Sequence, residues 1–430
     1  MDIKDYIDKN RQRMLDELCD LLRIPSVSAD PDFNDDVKRC AEAVASSLKK
    51  AGAGNVEVME TPGHPIVFGE YHVSDEAPTV LVYGHYDVQP PDPIDLWDNP
   101  AFDPIIKTTP KHPEGAIFAR GACDDKGQMF MHVKALESMK ASGDVPCNIK
   151  FIIEGEEEVG SSHLDTFLET HKDKLSADVV LVSDTGIISN DIPSITVGLR
   201  GLSYVEVEVT GPNRDLHSGL YGGAAPNPIN ILCEMIASLK DEDQRIAVEG
   251  FYDDVLELTK EEREDMARAP FNEAEHRESI GIGAHEGERG YSPTERMSIR
   301  PTLDINGIWG GYMKEGAKTV IASKATAKVS MRLVPYQDHE KITKLFTKHF
   351  HKIAPPSVTV KVTEMHGATP AVTPTDSPAY HAASLAMKHT FGKNPVPIRS
   401  GGSIPIVASF ERILGLKTVL FGFGLDSDAI

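Results

Sequence analysis

Paired cysteines are absent from this sequence of 430 residues. Its five cysteines are odd in number, lie far apart and never form a Cys-x-x-Cys pair. This spacing argues against a disulfide framework and against a zinc site built from thiolates. Any metal bound by this chain must therefore be held by His, Asp and Glu. The cysteines are Cys19, Cys40, Cys123, Cys147 and Cys233.

Long apolar stretches are also absent. No segment approaches the ~18 uninterrupted apolar residues that a membrane span requires. The N-terminal sequence MDIKD carries charge where a signal peptide needs an apolar core. We therefore expect a cytoplasmic protein that does not enter a membrane.

Basic residues are fewer than acidic ones: the sequence has 44 Lys and Arg and 66 Asp and Glu, which gives a formal net charge of −22. Such a chain repels phosphates, and no basic stripe is interleaved with aromatic residues, so nucleic acid is excluded as a partner. With 40% hydrophobic and 26% charged residues, the composition is that of a globular enzyme. The length predicts two or three domains.

Short apolar runs rich in β-branched residues alternate with helical stretches. Such runs are typical of strands buried on both faces. Their alternation with helices predicts an α/β fold, with a mostly parallel sheet and helices on both of its faces. The runs lie at 79–83, 149–153, 179–182 and 418–421.

A different pattern begins near Leu199. Val205, Val207 and Val209 alternate with polar residues, as on a sheet with one solvated face. Two strand-helix-strand units follow from there and predict an α+β, ferredoxin-like domain inserted into the first one. We expect the main domain at 1–198 and 368–430, and the inserted domain at 199–367.

Acidic and imidazole side chains stand where several main-domain strands end. His85 and Asp87 follow the first apolar run, Glu154 to Glu158 follow the second, and Asp184 follows the third. Taken singly, each is as readily a turn residue or a solvated charge. Because ligands bind outside the carboxyl ends of parallel strands, we expect these groups to converge in one crevice, together with Asp124 at the start of a helix.

So many carboxylates in one cleft would repel each other unless a cation neutralised them. Imidazole and carboxylate ligands without thiolate suit Zn²⁺ best, with Mn²⁺ or Co²⁺ as alternatives. More than four candidate ligands predict two divalent ions, roughly 3.5–4 Å apart, that share an acidified water.

Three motifs carry a resemblance to a known family: GHYDV at 84–88, RGACDDKG at 120–127 and EGEEEVGS at 154–161. With them the chain resembles the two-zinc exopeptidase superfamily of carnosinase-like dipeptidases, carboxypeptidase G-type enzymes and aminoacylases, and most of all its carnosinase-like branch. The resemblance covers nearly the whole chain. It implies a catalytic main domain, with the insertion serving as a lid and dimerisation domain.

The resemblance also implies roles for the clustered residues. His85 and Asp184 would each bind one ion, Asp124 would bridge both, and Glu158 would complete the set. Glu157 would be the general base for hydrolysis of a dipeptide amide bond by a metal-activated bridging water.

Two further residues receive roles from the same resemblance. Asp87 would orient the His85 imidazole by accepting its other N–H. His217, in the segment 215–219, would reach an active site across a homodimer and stabilise the oxyanion there. The peptide between Asp124 and Asp125 is often cis in such proteins.

Arg332 and the segment 399–405 resemble the parts that bind a substrate's free carboxylate. Guanidinium groups hold carboxylates with two hydrogen bonds, and a Gly-Gly turn lets backbone N–H groups approach closely. The substrate-binding residues expected here are Arg332, Arg399, Gly402 and Ser403, in addition to His217.

The sequence departs from the family pattern in two places. Ser400 stands where relatives commonly have Glu, which affects a substrate contact rather than the metal site. A His ligand would follow the final residue, Ile430, so we expect the given sequence to be truncated. Two alternatives to a dipeptidase stay open: an N-acyl amino acid deacylase or carboxypeptidase, and a catalytically silent metal-binding homodimer.

Overall fold

The computed structural model describes residues 2–110, 112–267, 269–402 and 404–425. The chain divides into two compact units, the first formed by Met1–Val197, Thr373–Pro397 and Ser409–Ile430. The second contains Gly198–Val372 together with Ile398–Ala408. This differs from the expected division, because the chain leaves the second unit after Val372 rather than after residue 367. A short segment of the expected main domain, Ile398–Ala408, also groups with the second unit.

The α-helices are α1 Ile3–Leu22, α2 Asn34–Ala51, α3 Lys126–Ser142, α4 Leu164–Thr170, α5 Ser218–Tyr221, α6 Pro228–Ala237, α7 Lys260–Met266, α8 Glu273–Ser279, α9 Pro293–Ser298, α10 His339–Ile353, α11 Pro378–Phe391 and α12 Pro405–Ser409. The strands are β1 Gly54–Met59, β2 Ile66–Tyr71, β3 Thr79–His85, β4 Ile105–Lys107, β5 Ala116–Phe118, β6 Asn148–Glu154, β7 Val179–Val182, β8 Ser194–Leu199, β9 Gly201–Thr210, β10 Leu216–His217, β11 Thr302–Gly310, β12 Val320–Ile321, β13 Lys324–Leu333, β14 Thr359–Ala368, β15 Ala371–Val372, β16 Val396–Ser400 and β17 Thr418–Leu420. Among the described residues, no helix combines the length and the apolar character needed to cross a bilayer.

The sheet of the first unit has the order β1-β2-β6-β3-β7-β17-β8. Its centre, β6-β3-β7-β17, is parallel, and antiparallel strands flank it on either side. This arrangement confirms the predicted α/β class. The parallel strands also end at the same edge of the sheet, which is where the sequence places its acidic and imidazole groups.

Helices cover both faces of this sheet because the buried side chains of its strands alternate. Val82 and Phe151 belong to a core that α1, α2 and α3 help to form on one face. Tyr83 points to the opposite face, where its ring meets that of Phe410, in the short helical segment Phe410–Leu414, edge-on at a centroid distance of 5.5 Å.

The second unit contains a four-stranded antiparallel sheet of order β11-β13-β9-β14. With α6 after β9 and α10 after β13, the chain order is βαββαβ, and the strand order is that of a ferredoxin-like fold. Val205, Val207 and Val209 face a core shared with both helices, as their alternation predicts. The predicted α+β insertion is therefore confirmed.

Gly84 permits the close approach of α3 to the end of β3. A Cβ atom at this position would lie 2.8 Å from Asp125 Oδ2 and 2.9 Å from Met129 Cβ. Any side chain here would push the start of α3 away from the sheet edge, so the site depends on this glycine.

We expect Gly84→Ala to lower the free energy of unfolding by about 1–3 kcal/mol, because the extra methyl group overpacks a filled contact. Urea denaturation monitored by circular dichroism measures this loss. Gly283→Ala is the matched control, since nothing lies within 4 Å of a Cβ atom built there. Equal stability of the two variants would contradict the packing argument.

Candidate metal centre

The last residue of β3 places an imidazole at the edge of the sheet. His85 is completely buried, and its Nε2 lies 3.1 Å from Asp124 Oδ1. Its Nδ1 lies 3.1 Å from the backbone oxygen of Asp87 and 3.3 Å from Asp87 Oδ1. One ring nitrogen therefore faces the acidic cluster, while the other is held by the residue two positions along the chain.

The buried carboxylate of Asp87 also holds the loop after β6. The backbone N–H of Glu157 donates to Asp87 Oδ1 at 3.3 Å, and that of Glu158 donates to Oδ2 at 3.1 Å. These N–H groups begin a short 3₁₀ turn, Glu157–Val159, whose first donors lack partners within the turn. The carboxylate thus fixes the backbone that carries both glutamates.

Two consecutive aspartates precede α3 and are joined by a cis peptide bond, as the resemblance implied. Asp125 is buried, and its Oδ2 accepts a hydrogen bond from the backbone N–H of His85 at 3.1 Å. Its Oδ1 has no hydrogen-bond partner among the described residues. Asp184, after β7, is near enough for its charge to raise the pKa of Asp125, after the larger effect of burial.

The acidic groups of this site hold their protons unusually strongly. Burial, joined by the repulsion of neighbouring carboxylates, raises the pKa of Glu157 to about 8, that of Glu158 to about 7 and that of Asp184 to about 6. Burial is the largest influence on the pKa of Asp124 and acts to raise it, but the hydrogen bond to His85 and the charges of His85 and Arg120 together outweigh burial and lower this pKa. More carboxyl groups therefore converge here than the nearby positive charge can balance when they are ionised.

The donor set fits a divalent cation. One ligand atom each from His85, Asp124 and Glu158 lie within 4.8 Å of one another. A cation at this place would neutralise the excess charge and would use imidazole nitrogen and carboxylate oxygen, which Zn²⁺ accepts readily. Gln89 donates to Glu158 Oε2 at 2.8 Å and so holds that carboxylate in place.

The remaining candidate residues lie in the second unit or outside the described residues. His217 is exposed, and its Nδ1 accepts a hydrogen bond from the backbone N–H of Gly219 at 3.1 Å. Arg332 lies on β13, where burial lowers its pKa, and Arg399 lies on β16 against Gly198. Gly402 donates its backbone N–H to Ser400 Oγ at 3.1 Å. Ser403 lies outside the described residues.

The sequence reasoning missed Arg200, which joins two of these segments. Its Nε donates to the carbonyl of Gly401 at 2.9 Å, and its backbone N–H donates to the carbonyl of Gly402 at 3.0 Å. Burial, with a further contribution from the charge of Arg332, lowers the pKa of Arg200 to about 10. The signal in the sequence is a lone charged residue between the buried strand β8 and the alternating strand β9.

The sequence pattern of peptidase family M20/M25/M40 matches residues 81–430. This match spans most of the chain and includes the three motifs at the sheet edge. The chain belongs to peptidase family M20.

Curated relatives of this M20 peptidase cover almost all of its length. It is 32% identical to the Cys-Gly metallodipeptidase dug1 of Schizosaccharomyces pombe, over 99% of this chain and 91% of the relative. It is 33% identical to the human Beta-Ala-His dipeptidase, over 98% of this chain and 86% of the relative.

Solved structures agree in fold. The dipeptidase Dug1p from Saccharomyces cerevisiae aligns with a TM-score of 0.83 at 30% identity, over 99% of this chain and 91% of that one. An M20 family metallo-carboxypeptidase from Sulfolobus solfataricus aligns with a TM-score of 0.84 at 32% identity, over 95% and 92% of the two chains.

Metal affinity is expected to rise with pH. In the metal-free protein Glu157, Glu158 and Asp184 retain protons up to about pH 8, 7 and 6, so a cation must displace protons below these values. Titration calorimetry with Mn²⁺ in buffers of different ionisation enthalpy should show proton release at about pH 6 that is nearly gone at about pH 9. An affinity that does not change with pH would contradict this account of the cluster.

Proposed function

We propose that this M20 peptidase hydrolyses the amide bond of dipeptides with the help of bound divalent metal ions. The observation that carries the proposal is the convergence of His85, Asp124 and Glu158 beside Glu157 at the sheet edge. Metallodipeptidases that match over nearly the full chain support it.

We assign two ions to this site, preferably Zn²⁺, with Mn²⁺ or Co²⁺ as substitutes. His85, Asp124, Glu158 and Asp184 would hold them, with Asp124 between the two. When bound, such ions supply Lewis acidity that polarises the scissile carbonyl and acidifies the attacking water.

Glu157 is our candidate general base. Burial raises the pKa of Glu157 to about 8, and the positive charge of bound cations would lower this pKa again. A carboxylate in this range accepts a proton from water and donates it to the leaving amine. Asp87 holds the backbone N–H of Glu157 and so fixes where this exchange takes place.

We also propose, as the sequence predicts, that this chain binds a substrate's free carboxylate. We assign this task to Arg332, Arg399, Gly402 and Ser403, because paired guanidinium and backbone N–H donors suit a carboxylate. His217 would stabilise the oxyanion of the neighbouring subunit in a homodimer. Cytoplasmic localisation is part of the same proposal.

A carboxypeptidase is the second candidate function. The metallo-carboxypeptidase from Sulfolobus solfataricus has a similarity to this chain equal to that of the dipeptidases. Both activities would use the same ions and the same carboxylate anchor, so they differ in what lies on the amino side of the scissile bond.

Turnover of free dipeptides, of N-acylated amino acids and of longer peptides separates these functions. We expect free dipeptides to be preferred and Glu157→Gln to lower kcat by about 10²–10⁴-fold, because the general base is lost. Metal content measured by mass spectrometry should be retained in this variant. Preference for longer peptides would favour a carboxypeptidase, and preference for N-acylated amino acids would favour a deacylase. A protein that binds metal but turns over none of these substrates would be a catalytically silent metal-binding protein.

Complementation between two inactive variants tests the role of His217. Glu157→Gln and His217→Ala should each be inactive alone, but a mixed dimer would combine an intact Glu157 with an intact His217 at one of its two sites. After subunit exchange we expect recovery of about a quarter of wild-type activity. Failure to recover any activity, with mixed dimers demonstrated by native mass spectrometry, would place both residues in the same subunit's site.

A further inference from the structure

An N-terminal segment runs alongside the strand end that carries the metal centre. Residues 26–28, here called the strap, lie parallel to residues 86–88, with Val27 paired to Val88. Ser26 Oγ donates to the carbonyl of Tyr86 at 2.6 Å, and the backbone N–H of Val88 donates to the carbonyl of Ser26 at 3.0 Å. The strap is therefore hydrogen-bonded to Tyr86 and Val88, the residues on both sides of Asp87.

The amine of Lys126 secures the segment that leads into the strap. Its Nζ donates to the carbonyl of Ile24 at 2.6 Å and to that of Leu21 at 3.3 Å. Lys126 is completely buried at the start of α3, so this tie connects the end of α1 to the helix that follows Asp124 and Asp125. A shift of residues 21–24 would therefore break hydrogen bonds to the first residue of that helix.

Ser28 makes the strap's contact with the functional cluster. Its hydroxyl donates to Asp87 Oδ2 at 2.6 Å, the shortest of the contacts that Asp87's carboxylate makes with His85, Glu157, Glu158 and Ser28. The distance is that of a charge-assisted O–H···O⁻ bond. Ser28 is 9% exposed and Asp87 is fully buried, so water does not readily replace this donor.

The donors divide between the two oxygens of Asp87. Oδ1 faces His85 Nδ1 and the N–H of Glu157, whereas Oδ2 receives the N–H of Glu158 and the hydroxyl of Ser28. Without Ser28, Oδ2 would keep the longer bond from the backbone N–H of Glu158 as its one hydrogen bond from the described residues, and rotation of the carboxylate would become easier. Rotation would disturb the His85 imidazole and the backbone of Glu157 together.

We propose that Ser28 is a positioning residue, which acts through Asp87 to set the orientation of the His85 imidazole toward bound metal. The inference rests on the proposed function, in that it takes His85 as a metal ligand. It extends that function by assigning to the N-terminal strap a part in metal affinity, beyond its part in packing.

The test compares Ser28→Ala with Ser26→Ala and Ser28→Thr in the full chain. Ser26→Ala is the matched control because it removes a hydroxyl of the same strap whose acceptor is a backbone carbonyl. Competition with a chromophoric chelator measures the Zn²⁺ dissociation constant, and thermal unfolding of the metal-free protein measures the strap's contribution to stability. Turnover of a free dipeptide at saturating metal measures kcat and KM separately.

We expect Ser28→Ala to weaken Zn²⁺ binding by roughly tenfold, as for other residues that orient a metal ligand, and to lower kcat more than it changes KM. Ser28→Thr, which keeps the hydroxyl, should restore most of the affinity. Ser26→Ala should bind Zn²⁺ like the wild type and should unfold at or above the temperature of Ser28→Ala, because the hydrogen bond that it loses is a neutral one.

The inference is overturned if Ser28→Ala binds Zn²⁺ like the wild type, or if Ser26→Ala loses as much affinity. Failure of Ser28→Ala to fold while Ser26→Ala folds would also overturn it, since Ser28 would then serve the fold alone. Loss of metal binding in His85→Ala together with wild-type behaviour of Ser28→Ala would leave the proposed function standing. A wild-type protein that binds no metal and cleaves no dipeptide would refute both.

Discussion

The buried carboxylate of Asp87 is the constraint on which the site depends. It joins three parts of the chain that are distant in sequence: the end of β3, the turn after β6 and the N-terminal strap. Within the part of the chain that the structure describes, its donors are backbone N–H groups, the Ser28 hydroxyl and the His85 imidazole. Several directional hydrogen bonds, together with the contact to His85, fix the orientation of this carboxylate as well as its distances to its neighbours.

The convergence at the sheet edge follows from topology, and this is why much of it is accessible from sequence. His85 ends one strand of the parallel centre and Glu158 follows the neighbouring strand, and parallel strands end at one edge whatever separates them along the chain. The alternation of Val205, Val207 and Val209 likewise indicates a sheet with one buried face, which the ferredoxin-like unit contains. Apolar runs and alternating residues, which are visible in short stretches of sequence, thus predict which distant residues meet in the fold.

Other features have no local signal. The contact between Ser28 and Asp87 joins residues 59 positions apart, and the serine's surroundings in sequence are those of an ordinary loop. The return of Ile398–Ala408 to the second unit is accompanied by hydrogen bonds of Arg200 with Gly401 and Gly402, which neither segment reveals alone. Side-chain partners across long loops are decided by packing, and sequence patterns do not encode them.

The strap also bears on how short a functional fragment of this protein can be. The family pattern begins at residue 81, yet the hydroxyl that steadies Asp87 belongs to residue 28, and the end of α1 is tethered by Lys126. A fragment cut to the recognisable pattern would keep every residue that suggests catalysis and lose part of what aligns them. An N-terminal truncation that removes α1 and the strap would therefore remove contacts of Asp87 and Lys126, even though it spares the recognisable motifs.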